Sequence, residues 1–126
     1  MTALVDTDVL IDVLRGREEA GELLRRKLTS GEEVLASVMT RTELLAGART
    51  GEEAELGDLF GALRWVSVDT TIADRAGQLA RSHRRSHSGV DAVDFVIAAT
   101  AQELDAELHT RNVRHFPMFP ELRPAY

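Results

Sequence analysis

The sequence predicts an α/β fold, a three-layer α/β/α sandwich around a short, mostly parallel sheet. Two observations predict it: short apolar runs alternate with segments of helical spacing along the chain, and one helix-length segment, Ala92 to Ala101, is apolar on nearly every side. Alternating strands and helices favour parallel strands covered on both faces, and a helix that is apolar all round belongs between layers rather than on a surface.

The elements follow in order. Ala3-Leu4-Val5 is a buried first strand that runs into Asp6-Thr7-Asp8 and feeds a helix through Val9, Leu10, Val13 and Leu14, stopped by Gly16. Over Glu18 to Leu28 the residues Ala20, Leu23, Leu24 and Leu28 keep helical spacing, with Gly31 as terminator. Glu33 to Ala36 is the second strand. Val38 to Ala48 is the third helix, with Leu44, Leu45 and Ala48 on its inner stripe and Gly47 near its end. Leu56, Leu59, Phe60 and Leu63 follow an i, i+3, i+4, i+7 pattern, and Trp65-Val66-Ser67-Val68 is the third strand, with Trp65 read as core rather than as a base-stacking platform. Thr70 or Thr71 caps the next helix, whose inner stripe is Ile72, Ala76, Leu79 and Ala80. After the apolar helix, Glu107-Leu108-His109 is a fourth strand, and the proline-spaced tail from Phe116 to Tyr126 is expected to add a short edge strand. No repeat or linker interrupts the pattern, so residues 1–126 read as a single domain.

The bulk numbers exclude several functions. A chain that is 44% hydrophobic and 29% charged is globular, and none of its apolar runs nears the roughly 18 residues of a membrane span. Its start lacks the basic and apolar regions of an export signal, so the cytoplasm is the expected compartment. With no cysteine, disulfides, thiolate metal sites and cysteine catalysis are all excluded. A net charge of −6 argues against a protein that merely coats nucleic acid. An RNA ligand would need local compensation, from a divalent cation or from the basic cluster Arg81-Ser82-His83-Arg84-Arg85 with Arg41, Arg111 and Arg114.

Three acids stand out. Asp6 sits where the first strand ends, and in an open α/β sheet the site lies beyond the carboxyl ends of the strands. Asp94 lies on the apolar helix, where an unpaired charge is costly, so it must be protonated, paired or bound to a cation. Only one lysine, Lys27, is present, which brings a metal ion forward. Glu43, beside Leu44-Leu45, is a third carboxylate that can converge from another element. Carboxylates without cysteine or paired histidines form a hard-oxygen site, suited to Mg²⁺ or Mn²⁺ and hence to phosphate esters.

Val5-Asp6-Thr7-Asp8-Val9-Leu10-Ile11, Thr42-Glu43-Leu44-Leu45-Ala46-Gly47, Asp94-Phe95-Val96-Ile97-Ala98-Ala99-Thr100-Ala101 and Thr110-Arg111-Asn112-Val113-Arg114-His115-Phe116 resemble, in order, the four sequence blocks of VapC-type PIN-domain toxins. The ordered set of four spans nearly the whole chain. The resemblance implies a PIN-like fold and an Mg²⁺- or Mn²⁺-dependent endoribonuclease, usually a homodimer, that cuts structured cellular RNA and is inhibited by a small cognate antitoxin. Asp6, Glu43 and Asp94 fall on the family's acidic positions. The fourth position, often an acid, is Asn112 here, a neutral ligand. By the same resemblance the Thr110 hydroxyl faces the acidic cluster. Asp8 and Asp91 are supplementary ligands or supports, and Arg41 and Arg111 are assigned to the RNA backbone.

Each residue also has a structural reading. Asp8 is equally a helix cap, and Thr40-Arg41-Thr42-Glu43 fits a capping box that would give Glu43 a purely terminal role. Asp91, after Ser88-Gly89, reads as an N-cap; one turn from Asp94 and on the same face, it could place both near a metal, or the two could be a cap and its companion, and Asn112 fits a turn that tolerates a left-handed backbone. His83 and His87 have a chelating spacing, but Arg84 and Arg85 between them repel a cation; His109 and His115 read as structural or surface groups. An aspartyl-nucleophile phosphatase or a receiver domain would want a lysine late in the chain, and Lys27 comes too early. A PIN-like module that only binds RNA or protein is the remaining alternative.

Overall fold

A computed structural model describes residues 2–83 and 89–126. Arg84 and Arg85 of the basic cluster, and His87 of the spaced histidine pair, lie outside the described residues. The chain runs β1 (Thr2–Val5), α1 (Thr7–Leu14), α2 (Glu18–Thr29), β2 (Glu33–Ser37), α3 (Val38–Ala46), α4 (Glu53–Ala62), β3 (Arg64–Val66), α5 (Thr70–His83), α6 (Ala92–Glu103), β4 (Glu107–His109) and a short 3₁₀ turn (Val113–His115).

The four strands order as β3-β2-β1-β4, and every pairing is parallel. The expected mostly parallel sheet is therefore wholly parallel among the described residues. Successive side chains of a strand point to opposite faces, and here both faces are buried. From β1, Val5 enters one core with Val9, Leu10, Leu23 and Leu24, whereas Leu4 enters the other with Ile97, Ala98 and Leu108. β2 divides in the same way, Val34 and Ala36 to the first core and Leu35 to the second. Helices α1 to α4 cover the first face. On the second, α6 lies on the sheet through Ile97 and Ala101 while its Phe95 and Ala99 meet Ile72 and Ala76 of α5. Burial on both sides is why this helix shows no polar stripe.

The chain order explains where a site must lie. From β1 the strands step to β2 and then β3, and β4 then returns to the opposite side of β1. The step reverses between β1 and β4, and right-handed crossovers place the helices of the returning segment on the opposite face. Ligand crevices of such sheets open at this reversal, beyond the strand carboxyl ends. The residues that leave β1 and β4 there are Asp6 and Thr110.

Four local expectations differ from the structure. The tail forms no strand. Phe116 is fully buried as core, Ala125 N–H donates to the Thr110 carbonyl at 2.8 Å, and Pro117, Pro120 and Pro124 lack the N–H groups that a ladder needs. β3 begins one residue early and releases Ser67 and Val68. The cap of α5 is Asp69, whose carboxylate accepts from Ile72 N–H at 2.9 Å, rather than Thr70 or Thr71. Finally, α3 turns only Thr40 and Leu44 inward; Leu45 is 54% exposed and Ala48 lies past the Gly47 cap.

Candidate active site

Asp6 follows the last residue of β1 and is the N-cap of α1, its Oδ1 accepting from Thr7 N–H at 2.8 Å. One residue thus ends the strand, starts the helix and carries a carboxylate to the sheet's reversal point. It is only 5% exposed. Its Oδ2 accepts from the Thr110 hydroxyl at 2.8 Å, and that hydroxyl in turn accepts from Asn112 N–H at 3.0 Å. Asp8, in the first turn of α1, accepts from Val9 N–H and from Arg111 N–H, both at 2.8 Å. Asp8 is therefore not the cap of α1; it joins that helix to the segment leaving β4.

Glu43 reaches the same junction through Thr7, whose hydroxyl donates to its Oε1 at 2.6 Å and shares a 2.9 Å hydrogen bond with Thr40. The capping box at Thr40 does not form, because Ser37 caps α3 by accepting from Met39 N–H. Glu43 is left free of terminal duty. Asp91 does cap α6, and its partner in the reciprocal box is Asp94: Asp94 N–H donates to Asp91 at 3.0 Å, and Asp91 N–H donates to Asp94 Oδ2 at 3.2 Å. The same Oδ2 lies 3.3 Å from His115 Nδ1. Asp94 is thus the companion of the Asp91 cap, the structural alternative that its spacing from Asp91 allows, as well as a carboxylate whose charge reaches Asp6.

Electrostatically the pocket is dominated by its carboxylates. Burial, reinforced by the charge of Asp8 and to a lesser degree of Asp94, pushes the Asp6 carboxyl up to about 7, against which the Thr110 and Thr7 hydrogen bonds pull it down. Asp94 is raised to about 6, chiefly by burial, with His115 opposing. Among the described residues no cationic side chain pairs with Asp6, and no three acids or histidines stand close enough to enclose an ion. The carboxylates are instead hydrogen-bonded within the fold, Asp6 by Thr7 and Thr110, Asp8 by Arg111 and Thr110, Glu43 by Thr7, and Asp94 by Asp91, with His115 beside it. The donor set itself, all oxygen and buried at Asp6, fits a hard divalent ion.

The structure therefore gathers Asp6, Asp8 and Thr110 directly, brings Asp94 within reach of the Asp6 charge, and connects Glu43 through one hydroxyl. Asn112 is exposed and contributes its main-chain N–H; its backbone, at φ −91°, is not left-handed. Arg41 packs its guanidinium over Phe60 and Trp65, at 4.1 and 5.1 Å from the ring centroids, and Arg111 packs over Tyr126 at 5.2 Å. Thr7 and His115 are site residues that sequence reasoning missed. The position of Thr7 between two aspartates at a strand-to-helix junction was the available signal, whereas nothing local marks His115.

A family model described as PIN domain matches residues 3–119. The chain is similar to Ribonuclease VapC19 of Mycobacterium tuberculosis, 51% identical over 123 residues that cover 98% of each protein. It is also similar to Ribonuclease VapC10 of that organism, 42% identical over 98% of this chain and 92% of the other. Among solved structures it resembles a chain of a toxin-antitoxin complex from Klebsiella pneumoniae, with a TM-score of 0.83 and 28% identity over 99% of this chain and 98% of that one.

Proposed function

The chain belongs to the PIN-domain family, in its VapC branch, and from that premise we propose that it is a metal-dependent endoribonuclease acting as the toxin of a toxin–antitoxin pair. The observation that carries this reading is Asp6, a buried carboxylate at the sheet's reversal point, bonded by Thr110 and repelled by Asp8 and Asp94. A pocket of oxygen donors so dominated by carboxylates suits Mg²⁺ or Mn²⁺. Asp6, Glu43 and Asp94 would hold the ion, with Asp8, Asp91 and Asn112 around it. Once bound, it supplies a water of lowered pKa and neutralises charge at the scissile phosphate.

The protein's own residues supply position. Thr110 fixes the Asp6 rotamer and favours its charged form, Thr7 directs Glu43, and Asp91 N–H steadies Asp94. Arg41 and Arg111 take the RNA backbone. For Arg41 the aromatic pair beneath it orients a guanidinium whose edge is suited to phosphate. A small antitoxin protein as partner, a homodimer as the assembled form and one domain as the working unit complete the proposal.

Purified protein incubated with total cellular RNA and Mg²⁺ or Mn²⁺ tests it. Cleavage is expected, and Asp6→Asn or Asp94→Asn should abolish it. Intact RNA under both metals overturns the reading. Expression in a host should slow growth, with relief from a small protein encoded beside this chain.

A further inference from the structure

We infer that Tyr126 is a positioning residue of the acidic pocket: with Ala125 it clamps the Thr110–Arg111 segment from outside while that segment holds Asp6 and Asp8 from inside. The inference rests on the ribonuclease reading only for its effect on turnover.

The geometry is a two-sided grip on two residues. Thr110 gives its hydroxyl to Asp6 and its carbonyl to Ala125 N–H, each at 2.8 Å. Arg111 gives its main-chain N–H to Asp8 at 2.8 Å and its guanidinium to Asp12 Oδ2 at 3.3 Å. Asp8 and Asp12 are four residues apart on α1 and so share a face, which means that one line of one helix holds Arg111 by both of its ends. Tyr126 closes the arrangement. Its hydroxyl donates to the same Asp12 oxygen at 2.5 Å, and its ring receives Arg111 at 5.2 Å and Arg17 at 5.1 Å.

The chemistry suits a permanent fastening. Burial, with the bond to Asp12 and its charge, pushes the Tyr126 phenol far up, so it remains a proton donor throughout the working range. With two guanidiniums near its ring, Tyr126 is also readily held in place, since a tyrosine has only two side-chain torsions to fix. The consequence passes to the pocket through bonds already named. If Tyr126 is removed, Ala125 loses its tie to Asp12 and Arg111 loses the ring it packs on, which loosens the outer grip on Thr110 and lets its hydroxyl shift from Asp6. Misplacing such a group by an ångström is costly for a reaction that depends on orientation.

The test uses Tyr126→Ala and Tyr126→Phe in the full chain, with RNA turnover and amide hydrogen exchange read in parallel. For Tyr126→Ala, kcat should fall about tenfold or more, and by more than KM rises, because orientation at Thr110 and Asp6 is lost as well as the support of Arg111. Exchange at Arg111 N–H and Asn112 N–H should quicken about tenfold or more, while amides in the centre of β1 stay protected. Tyr126→Phe keeps the ring on both arginines and should fall between wild type and Tyr126→Ala in both readouts. Exchange is informative even if the wild type cuts no RNA, so failure of the ribonuclease reading is distinguishable from failure of the clamp. Should Tyr126→Ala not fold, Tyr126→Phe decides alone. A folded variant with unchanged Arg111 and Asn112 exchange and unchanged kcat overturns the inference.

Discussion

The Thr110 hydroxyl donates to the Asp6 carboxylate at 2.8 Å across 104 residues of sequence. It is the strongest of the opposing influences on a carboxyl that burial has lifted to about 7. Thr110→Val keeps the shape and removes the donor, so Asp6 should release its proton still less readily. A hydrogen bond to a charged group is worth roughly 1.5–3 kcal/mol, so the acid limb of the cleavage pH profile should move up by about one unit or more, and Thr110→Ser should restore it. An unmoved profile in Thr110→Val would show that this bond does not govern the ionisation of Asp6.

Stability should fall as pH rises through the same range. An acid whose carboxyl is raised on folding binds its proton more tightly in the native state, so the stability it contributes is fully present below the unfolded value of 3.8 and is lost as pH climbs through about 7. Asp94, raised to about 6, acts in the same direction. For buried Asp6 the effect is on the order of a few kcal/mol, at about 1.4 kcal/mol per unit. Asn keeps an acceptor for the α1 cap and carries no charge, so Asp6→Asn should melt above wild type at pH 8 and lose that advantage at pH 5. Mn²⁺ at a hundredfold excess over its dissociation constant should stabilise the wild type at pH 8 by about 2.7 kcal/mol, and the Asp6→Asn protein far less. Parallel melting curves for the two proteins across this range would remove Asp6 as the source.

How much of this was legible in the sequence depended on the length scale of the signal. The apolar runs of β1 and β2 and the unstriped α6 were readable because burial on both sides leaves no other composition. Leu45 misled because propensity and hydrophobicity are properties of a residue, whereas the number of faces that α3 presents depends on its neighbours. The tail misled in the opposite sense: Phe116 is core, but proline decides whether a ladder forms. Within the site, Asp6, Glu43 and Asp94 were named from type and position, while the Thr7 hydroxyl that holds Glu43, and the Thr40 hydroxyl bonded to it, were passed over. Threonine in a helix start has many uses, and only the fold shows which one applies.

Thr7 offers a third prediction. Its hydroxyl is buried between Thr40 and Glu43, and Thr7→Val preserves volume while deleting both bonds. A buried Thr40 hydroxyl then loses a partner and Glu43 loses its donor, at a cost of about 1–3 kcal/mol in urea unfolding. Cleavage should also drop at a temperature where the variant is folded, because Glu43 is no longer directed. Full activity in a destabilised Thr7→Val protein would make the relay purely structural.

Asp91 separates capping from metal binding. It accepts from Asp94 N–H at the start of α6 and is exposed, so its side chain is explained by the helix alone. Asp91→Ala should cost about 0.5–2 kcal/mol, the usual loss for an N-cap. Serine caps as well as aspartate but binds a divalent ion poorly, so Asp91→Ser discriminates. If the cap is the whole of its role, Asp91→Ser regains both stability and cleavage, with an unchanged Mn²⁺ requirement. A protein that is stable yet needs much more Mn²⁺ would instead place Asp91 among the ligands, beside Asp94 to which its own N–H already points.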